Sequence, residues 1–246
     1  SNLTSHLLSI INRIKSPIQN LNQPSPIVFL LDLFLYISVM FLIREVYFSE
    51  VGFIANGLFW SFTTLALASW RMHARGVSWK DLGLRTPESY KNAMIGTIFI
   101  LGFAVSSIVL FQIVKDQLGL EISPDNSNKK AASKFGDLLG NWMLFFSIIP
   151  FIWLQSMLEE VLDRGFLMNW IERAFSNTLF ATIFAVIAQA MIFGFRHSND
   201  LSERSITVGL IGLGMGIGYV VFGRNLWPLI FAHCALNTLS MLDRVT

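Results

Sequence analysis

The chain has 246 residues, of which 53% are hydrophobic and only 14% are charged, and its mean hydropathy is +0.56. Soluble domains carry about 25% charged residues, so this composition excludes an ordinary soluble protein and is typical of a membrane protein. The net charge of +2 is small and no basic run has interleaved aromatic residues, which argues against a nucleic-acid partner. The single cysteine, Cys234, fits no metal-binding cysteine spacing.

The N-terminal part of the chain differs from the rest. Residues 1–26 are mostly polar and predict a cytoplasmic or interfacial segment, in which residues 4–14 form a short amphipathic helix. Loop 71–91 carries five Lys and Arg residues against two acids. The positive-inside rule counts Lys and Arg, so it predicts that this loop and the N-terminus lie in the cytoplasm.

Residues 27–246 contain long apolar segments and predict one membrane-embedded domain. A helix needs about 20 apolar residues to cross the lipid bilayer. We therefore predict an all-α, polytopic helical bundle of about 7–8 transmembrane helices. The candidate spans are about 27–47, 52–70, 92–114, 138–162, 177–196, 205–222 and 225–242.

The fourth and sixth spans have distinctive features. We expect the fourth helix to continue to about Arg173, which moves Glu159 towards the middle of the membrane. The sixth contains the small-residue pairs Gly212/Gly216 and Gly214/Gly218, whose spacing allows close helix packing. We expect this packing to lie within the protein rather than between two copies.

Two adjacent glutamates, Glu159 and Glu160, stand at the end of the apolar run of the fourth span. A carboxylate in hydrocarbon costs about 2.5–3.5 kcal/mol on insertion scales, so we expect the pair to have a specific structural or functional role. Residues four apart share a helix face, so Glu160 can pair with Arg164. Glu159 would then be free to act as a base. The alternative is an ordinary cluster of charges at the membrane surface.

Two further polar pairs follow at helical spacing. Phe193 and His197 share a face near the end of the fifth span, where His197 could also be an ordinary interfacial histidine. His233 and Asn237 share a face inside the seventh span and could both point at one developing oxyanion. A polar contact between helices is the alternative for this pair. Taken together, the three pairs predict a polar site among the last four helices.

The ordered motifs Glu-Glu-x-x-x-Arg, Phe-x-x-x-His and His-x-x-x-Asn resemble the signature of the CPBP family of intramembrane proteases. That family includes the type II CAAX prenyl endopeptidases and the Abi proteins. Gly165, directly after Arg164, also fits the resemblance. So does loop 77–85, which contains Asp-Leu-Gly-Leu-Arg. The motif region covers residues 159–237.

The resemblance implies an intramembrane endopeptidase that hydrolyses a peptide bond in a membrane-proximal or lipidated, CAAX-like substrate. It also implies a water-filled cavity that opens to the cytoplasm. The implied roles fall on six residues: Glu159 activates water, His197 binds or orients it, His233 and Asn237 stabilise the oxyanion, and Glu160 and Arg164 order the site.

One residue departs from the family pattern. The position before Arg164 is usually apolar or aromatic, and here it is Asp163. A third acid would add like charge beside Glu159 or could join a metal site. It could also mark a catalytically silent member that acts as a scaffold, assembly factor or immunity protein in a larger membrane complex.

A cofactor is not required by these motifs, although zinc is possible. Glu159, His197 and His233 would supply a carboxylate and two imidazoles, with one open position. No His-x-x-x-His pair presets a zinc face, and Asn237 suits an oxyanion donor better than a ligand. We therefore favour a metal-free mechanism. A proton-coupled transporter is a third reading, but no symmetry-related pair of broken helices supports it.

Overall fold

The computed structural model describes residues 24–125 and 134–246. The predicted helix at 4–14 lies outside these residues. The described part of the chain contains eight α-helices, two short 3-10 helices and one π-helix. In chain order these are α1 (Pro26–Leu42), 3-10 helices Ile43–Glu45 and Ser49–Val51, α2 (Gly52–Ala74), α3 (Tyr90–Leu118), α4 (Trp142–Glu160), the π-helix Val161–Leu167, α5 (Met168–Ala174), α6 (Leu179–Ser198), α7 (Glu203–Val221) and α8 (Trp227–Val245).

Each of the seven predicted spans is helical, which confirms the all-α membrane fold. Six helical runs are long and apolar enough to cross a membrane. The seventh predicted span is α8, which falls short by composition because polar side chains interrupt it. The six runs are Pro26–Glu45, Ser49–Ala74, Tyr90–Leu118, Trp142–Ala174, Leu179–Ser198 and Glu203–Val221.

The fourth span is one continuous helical run of 33 residues, Trp142–Ala174, and it contains α4, the π-helix and α5. The predicted extension to Arg173 is confirmed, and Glu159 lies near the middle of the run. The wide π-helix begins directly after Glu160. The Asn169 amide donates to the carbonyl oxygens of Arg164 and Gly165, at 3.2 and 2.8 Å. These bonds satisfy backbone acceptors in the irregular turn.

Helix α7 packs through its glycines on two sides. A Cβ on Gly194 of α6 would collide with the backbone of Ser205 and Gly209 in α7. On another side of α7, a Cβ on Gly218 would lie 2.6 Å from the Ile100 side chain of α3. The glycine pattern therefore serves packing within the protein, as predicted.

A buried acid ties three helices together at one end of the bundle. Asp32 of α1 is 3% exposed and accepts hydrogen bonds from Arg71, Arg75 and the Trp170 indole. Two of the five cations counted in loop 71–91 are thus held by an acid in α1. The charge bias that predicts the orientation of this loop is therefore smaller than its sequence indicates.

Loop 77–85 supports the turn that leads into α8. Gly83 has φ +101°, and its carbonyl oxygen accepts a hydrogen bond from the Leu226 amide at 3.0 Å. The Tyr219 hydroxyl donates to the Leu82 carbonyl at 2.8 Å. Within the loop, hydrogen bonds from the Ser78 side chain and backbone hold the pKa of Asp81 below its usual range. The loop thus helps to fix the start of the helix that carries His233.

Candidate active site

A cavity of about 800 Å³ lies between α2, α4, α6 and α8. Four residues that the sequence predicts to be catalytic line it together. They come from three different helices, although about 80 residues separate the first from the last. The four are Glu159, His197, His233 and Asn237.

One oxygen of the Glu159 carboxylate accepts a hydrogen bond from the protein, and the other faces the two histidines. Its Oε1 accepts a hydrogen bond of 3.1 Å from Gln155, one turn earlier on α4. Its Oε2 lies 3.7 Å from His197 Nε2 and 3.8 Å from His233 Nε2. These separations are too long for direct hydrogen bonds, but one water molecule can contact all three groups.

A contact at Nδ1 fixes the orientation of each of the two imidazole rings. His197 Nδ1 lies 2.7 Å from the Phe193 carbonyl oxygen, which can only accept, so Nδ1 carries a proton. The Phe193 ring also packs against the imidazole, with centroids 4.4 Å apart, as the shared helix face predicts. His233 Nδ1 lies 2.7 Å from Glu160 Oε1. Each ring therefore presents Nε2 to Glu159 and the cavity.

Glu160 and Arg164 lie behind the cavity wall, where both are fully buried. Arg164 donates to Glu160 Oε1 at 3.0 Å, so the predicted pair forms. A second guanidinium nitrogen donates to the Gly212 carbonyl at 3.4 Å, and the guanidinium lies 4.3 Å from the Phe193 ring centroid. This pair supports His233 from behind rather than touching the cavity.

Asn237 faces the cavity one helical turn after His233. Its amide nitrogen donates to the Ser156 hydroxyl at 2.8 Å. An amide nitrogen has two N–H groups, so one can anchor the side chain while the other serves a ligand. The Ser156 hydroxyl in turn donates to the Ile152 carbonyl at 2.8 Å, which orients this support.

Asp163, the acid that departs from the family pattern, is paired with an arginine. It forms a two-pronged ion pair with Arg196 at 2.8 and 2.5 Å, and both side chains are buried. Asp163 follows Glu159 by four residues and lies in the π-helix that starts at Val161. The like charge expected from the extra acid is therefore matched by an arginine beside His197.

Sequence reasoning missed three side chains of this region. The contact of Gln155 with Glu159 could have been predicted, because the two residues are four apart and share a helix face. Arg196 directly precedes His197 and had the appearance of an interfacial residue. Arg44 lies over 100 residues away in the chain and lines the cavity beside Glu159. No local pattern connects it to the three motifs.

The cavity mouth lies at the end of the bundle where α2 begins. The loop residues that line it include Glu45, Asp125, Asn199 and Asp200. Loop 71–91 instead follows the last turns of α2, at the opposite end of a 23-residue helix. If the prediction that this loop is cytoplasmic holds, the cavity opens on the other side of the membrane.

Comparison with known proteins bears on this arrangement. Residues 141–239 match the family described as "Type II CAAX prenyl endopeptidase Rce1-like". Neither a curated protein nor a solved structure has significant similarity to the chain. The matched region begins just before α4 and ends in α8, so it contains the whole predicted motif region. The resemblance seen in the three motifs is thereby confirmed: residues 141–239, about two fifths of the chain, are similar to the type II CAAX prenyl endopeptidases of the CPBP family.

Proposed function

We propose that this protein is an intramembrane endopeptidase that hydrolyses a peptide bond in a membrane-proximal or lipidated, CAAX-like substrate. The family supports CAAX-type protease activity in general. The observation that carries the proposal is the convergence of Glu159, His197, His233 and Asn237 on one cavity. A cavity of about 800 Å³ is also of the size that holds a ligand rather than a single solvent molecule.

In the proposed mechanism Glu159 is the general base. A water between Oε2 and His197 Nε2 gives a proton to Glu159, and the resulting hydroxide attacks the scissile carbonyl carbon. His197 accepts a hydrogen bond from this water through Nε2, because Nδ1 holds the proton. Glu159 then passes its proton to the leaving amine, which releases a carboxylic acid and an amine.

The tetrahedral oxyanion needs donors on the other side of the scissile carbonyl. Asn237 can supply its second N–H group. His233 can donate from Nε2 only when the ring carries both protons, and the Glu160 carboxylate against Nδ1 is the counter-ion that such a ring requires. Arg164 keeps that carboxylate in place. Removing one such donor typically costs about 10²–10³ in kcat.

Zinc is the alternative to a metal-free glutamate base. Among residues 24–125 and 134–246, no three His, Cys, Asp or Glu side chains are arranged to hold a metal ion. Glu159, His197 and His233 would be the residues to hold a zinc ion, and we keep the metal-free route as the proposal, so no step is routed through a metal. A chelator provides the direct test.

The alternative function, a catalytically silent scaffold, was suggested by Asp163. Its ion pair with Arg196 gives that acid a structural role that is compatible with an intact site. We therefore retain the protease as the proposed function. The membrane orientation is also a proposal: if loop 71–91 lies in the cytoplasm, the cavity opens on the other side of the membrane.

The test is cleavage of a panel of fluorogenic lipidated peptides by purified protein in detergent. Wild type is compared with Glu159→Ala, with and without a chelator. We expect cleavage that Glu159→Ala abolishes and the chelator leaves unchanged. Loss of cleavage with the chelator would establish a metal mechanism. Failure of the folded wild type to cleave any peptide of the panel would contradict the CAAX-like substrate class.

A further inference from the structure

Arg173 is a buried cation at the end of the bundle opposite the cavity mouth. It lies in the last turn of the helical run that carries Glu159, and it is 4% exposed. Within residues 24–125 and 134–246, its guanidinium forms no hydrogen bond and no ion pair, and Nη2 is enclosed without an acceptor. The ring centroids of Trp170 and Phe29 lie 5.1 and 5.8 Å from the guanidinium, but these rings offer no oxygen atom.

The combination of burial and missing acceptors separates Arg173 from the other arginines that the structure describes. Four of these arginines are 5% exposed or less, namely Arg164, Arg173, Arg196 and Arg224. All of the four except Arg173 form an ion pair with a buried acid. The remaining arginines without an ion pair are partly exposed and can be hydrated; they are Arg44, Arg85, Arg204 and Arg244. A buried charge without a partner is strongly unfavourable, so Arg173 calls for an anion.

The chain itself does not supply this anion. Residues 1–23 and 126–133, which the structure does not describe, contain no Asp or Glu. Glu172, the neighbour of Arg173 in sequence, binds Arg224 through both carboxylate oxygens, at 2.7 and 2.8 Å. Asp81 in the nearby loop accepts hydrogen bonds from the Ser78 amide and hydroxyl. The partner of Arg173 therefore comes from outside these 246 residues.

Two further arginines lie close to Arg173. Arg71 and Arg75 donate to the same acid, Asp32, at 2.8 and 3.0 Å. The Trp170 indole also donates to Asp32, at 3.2 Å, and its ring is the one that lies against Arg173. Three guanidinium groups thus surround one carboxylate, which leaves two positive charges unmatched.

This cluster is open to the membrane surface through Arg71. Among the described contacts, Arg71 bonds Asp32 through Nε alone, and its side chain is 17% exposed. Its guanidinium lies 4.5 Å from the ring centroid of Trp70, which is 58% exposed. Exposed tryptophans are enriched at the membrane–water interface. A guanidinium fork also matches the oxygens of a phosphate group.

We propose that Arg71, Arg75 and Arg173 bind the phosphate of an anionic phospholipid headgroup at this end of the bundle. Basic pockets between transmembrane helices are suited to such headgroups, and anionic lipids are concentrated in the cytoplasmic leaflet. The predicted cytoplasmic side of loop 71–91 agrees with this placement. The inference is independent of the proposed protease activity.

The test counts lipids that bind to the purified full chain in an uncharged detergent, by native mass spectrometry. Phosphatidylglycerol and phosphatidylcholine with identical acyl chains are titrated in turn. We expect wild type to bind phosphatidylglycerol about tenfold or more tightly, because its net negative headgroup meets two unmatched positive charges. Equal binding of the two lipids would overturn the proposal.

Three variants assign the preference to the cluster. Arg173→Gln should reduce the preference for phosphatidylglycerol to about twofold or less, and Arg75→Gln should reduce it in part. Arg85→Gln is the matched control, because it removes a cation at the same end of the bundle that bonds the backbone carbonyls of Lys80 and Gly223. It should keep the preference. A preference that survives Arg173→Gln would refute the site.

Unfolding temperatures distinguish a lipid site from a purely structural arginine. Without added lipid, Arg173→Gln should be at least as stable as wild type, because it removes a buried charge that has no partner. Added phosphatidylglycerol should stabilise wild type and leave the variant unchanged. An equal loss of stability in the variant under both conditions would assign Arg173 to ring packing alone and overturn the proposal.

A last arm separates the headgroup from free phosphate. Inorganic phosphate is added in place of the lipid and should not raise the unfolding temperature of wild type. A rise as large as that caused by phosphatidylglycerol, abolished by Arg173→Gln, would identify a site for a soluble anion and contradict the lipid site.

Discussion

Asp163 and Arg196 form a buried two-pronged ion pair beside the cavity that Glu159 lines. Arg196 is the neighbour of His197 in α6, and Asp163 is in the π-helix that follows Glu160. The pair therefore links the two helices that supply the proposed base and its partner histidine. Arg196 also lines the cavity together with Glu159.

Removing one member of this pair should be costly. We expect Asp163→Asn and Arg196→Met each to lower the free energy of unfolding by about 3–5 kcal/mol, because a buried charge is left without its partner. The double variant Asp163→Leu with Arg196→Met should recover much of this loss. Thermal unfolding in one detergent measures all three. A double variant no more stable than the single ones would contradict a role based on charge pairing.

Gln155 should matter for catalysis more than for stability. It donates to Glu159 Oε1 at 3.1 Å and to the Ser61 hydroxyl at 2.8 Å. Gln155→Leu removes the anchor of the carboxylate, so kcat should fall about tenfold or more while KM changes little. Ser61→Ala removes only the second contact and should have a smaller effect. An unchanged kcat in Gln155→Leu would show that Glu159 does not need this anchor.

The packing of α6 on α7 predicts opposite effects at two glycines. A Cβ at Gly194 would collide with backbone atoms of α7, whereas nothing lies within 4 Å of a Cβ at Gly102 in α3. Gly194→Ala should therefore destabilise the protein by about 1–3 kcal/mol. Gly102→Ala should stabilise it by about 0.5–1 kcal/mol through helix propensity. Unfolding temperatures measured side by side decide this, and an equal shift in both variants would contradict the close packing.

Asp81 gives a prediction for acid conditions. Hydrogen bonds from Ser78 lower the pKa of this carboxyl in the folded protein. Its contribution to stability is therefore present above the pKa of the unfolded chain, and it is lost as the pH falls through the folded-state pKa. The unfolding temperature of wild type should thus approach that of Asp81→Asn on acidification. A gap between the two proteins that stays constant from neutral to acid pH would argue against this role.

The sequence predicted the helices well because each long apolar segment has only one stable state in a bilayer. It also predicted the continuation of the fourth helix and the Glu160–Arg164 pair, since both follow from local helical spacing. The π-helix at Val161–Leu167 was not predictable from that spacing, and neither was the Asp163–Arg196 pair, whose members lie 33 residues apart in the chain. The place of Arg44 depends on tertiary packing across the bundle.

The orientation of the cavity in the membrane stays a prediction. The positive-inside rule counts all the cations of loop 71–91, but Arg71 and Arg75 form ion pairs with Asp32. Where the cavity opens depends on which ends of the helices diverge, and hydropathy carries no information on that. Only the three-dimensional arrangement revealed that this loop and the cavity mouth lie at opposite ends of α2.

The most direct test of the central claim is whether the proposed catalytic groups act as one unit. Single-turnover rates on a cleaved peptide are compared for wild type, Glu159→Gln, His197→Ala and the double variant. We predict that each single change lowers the rate by about 10³-fold or more, and that the double variant is no slower than the slower single one. Substantial cleavage by a folded Glu159→Gln variant, or independent multiplication of the two losses, would contradict a shared water held between these side chains.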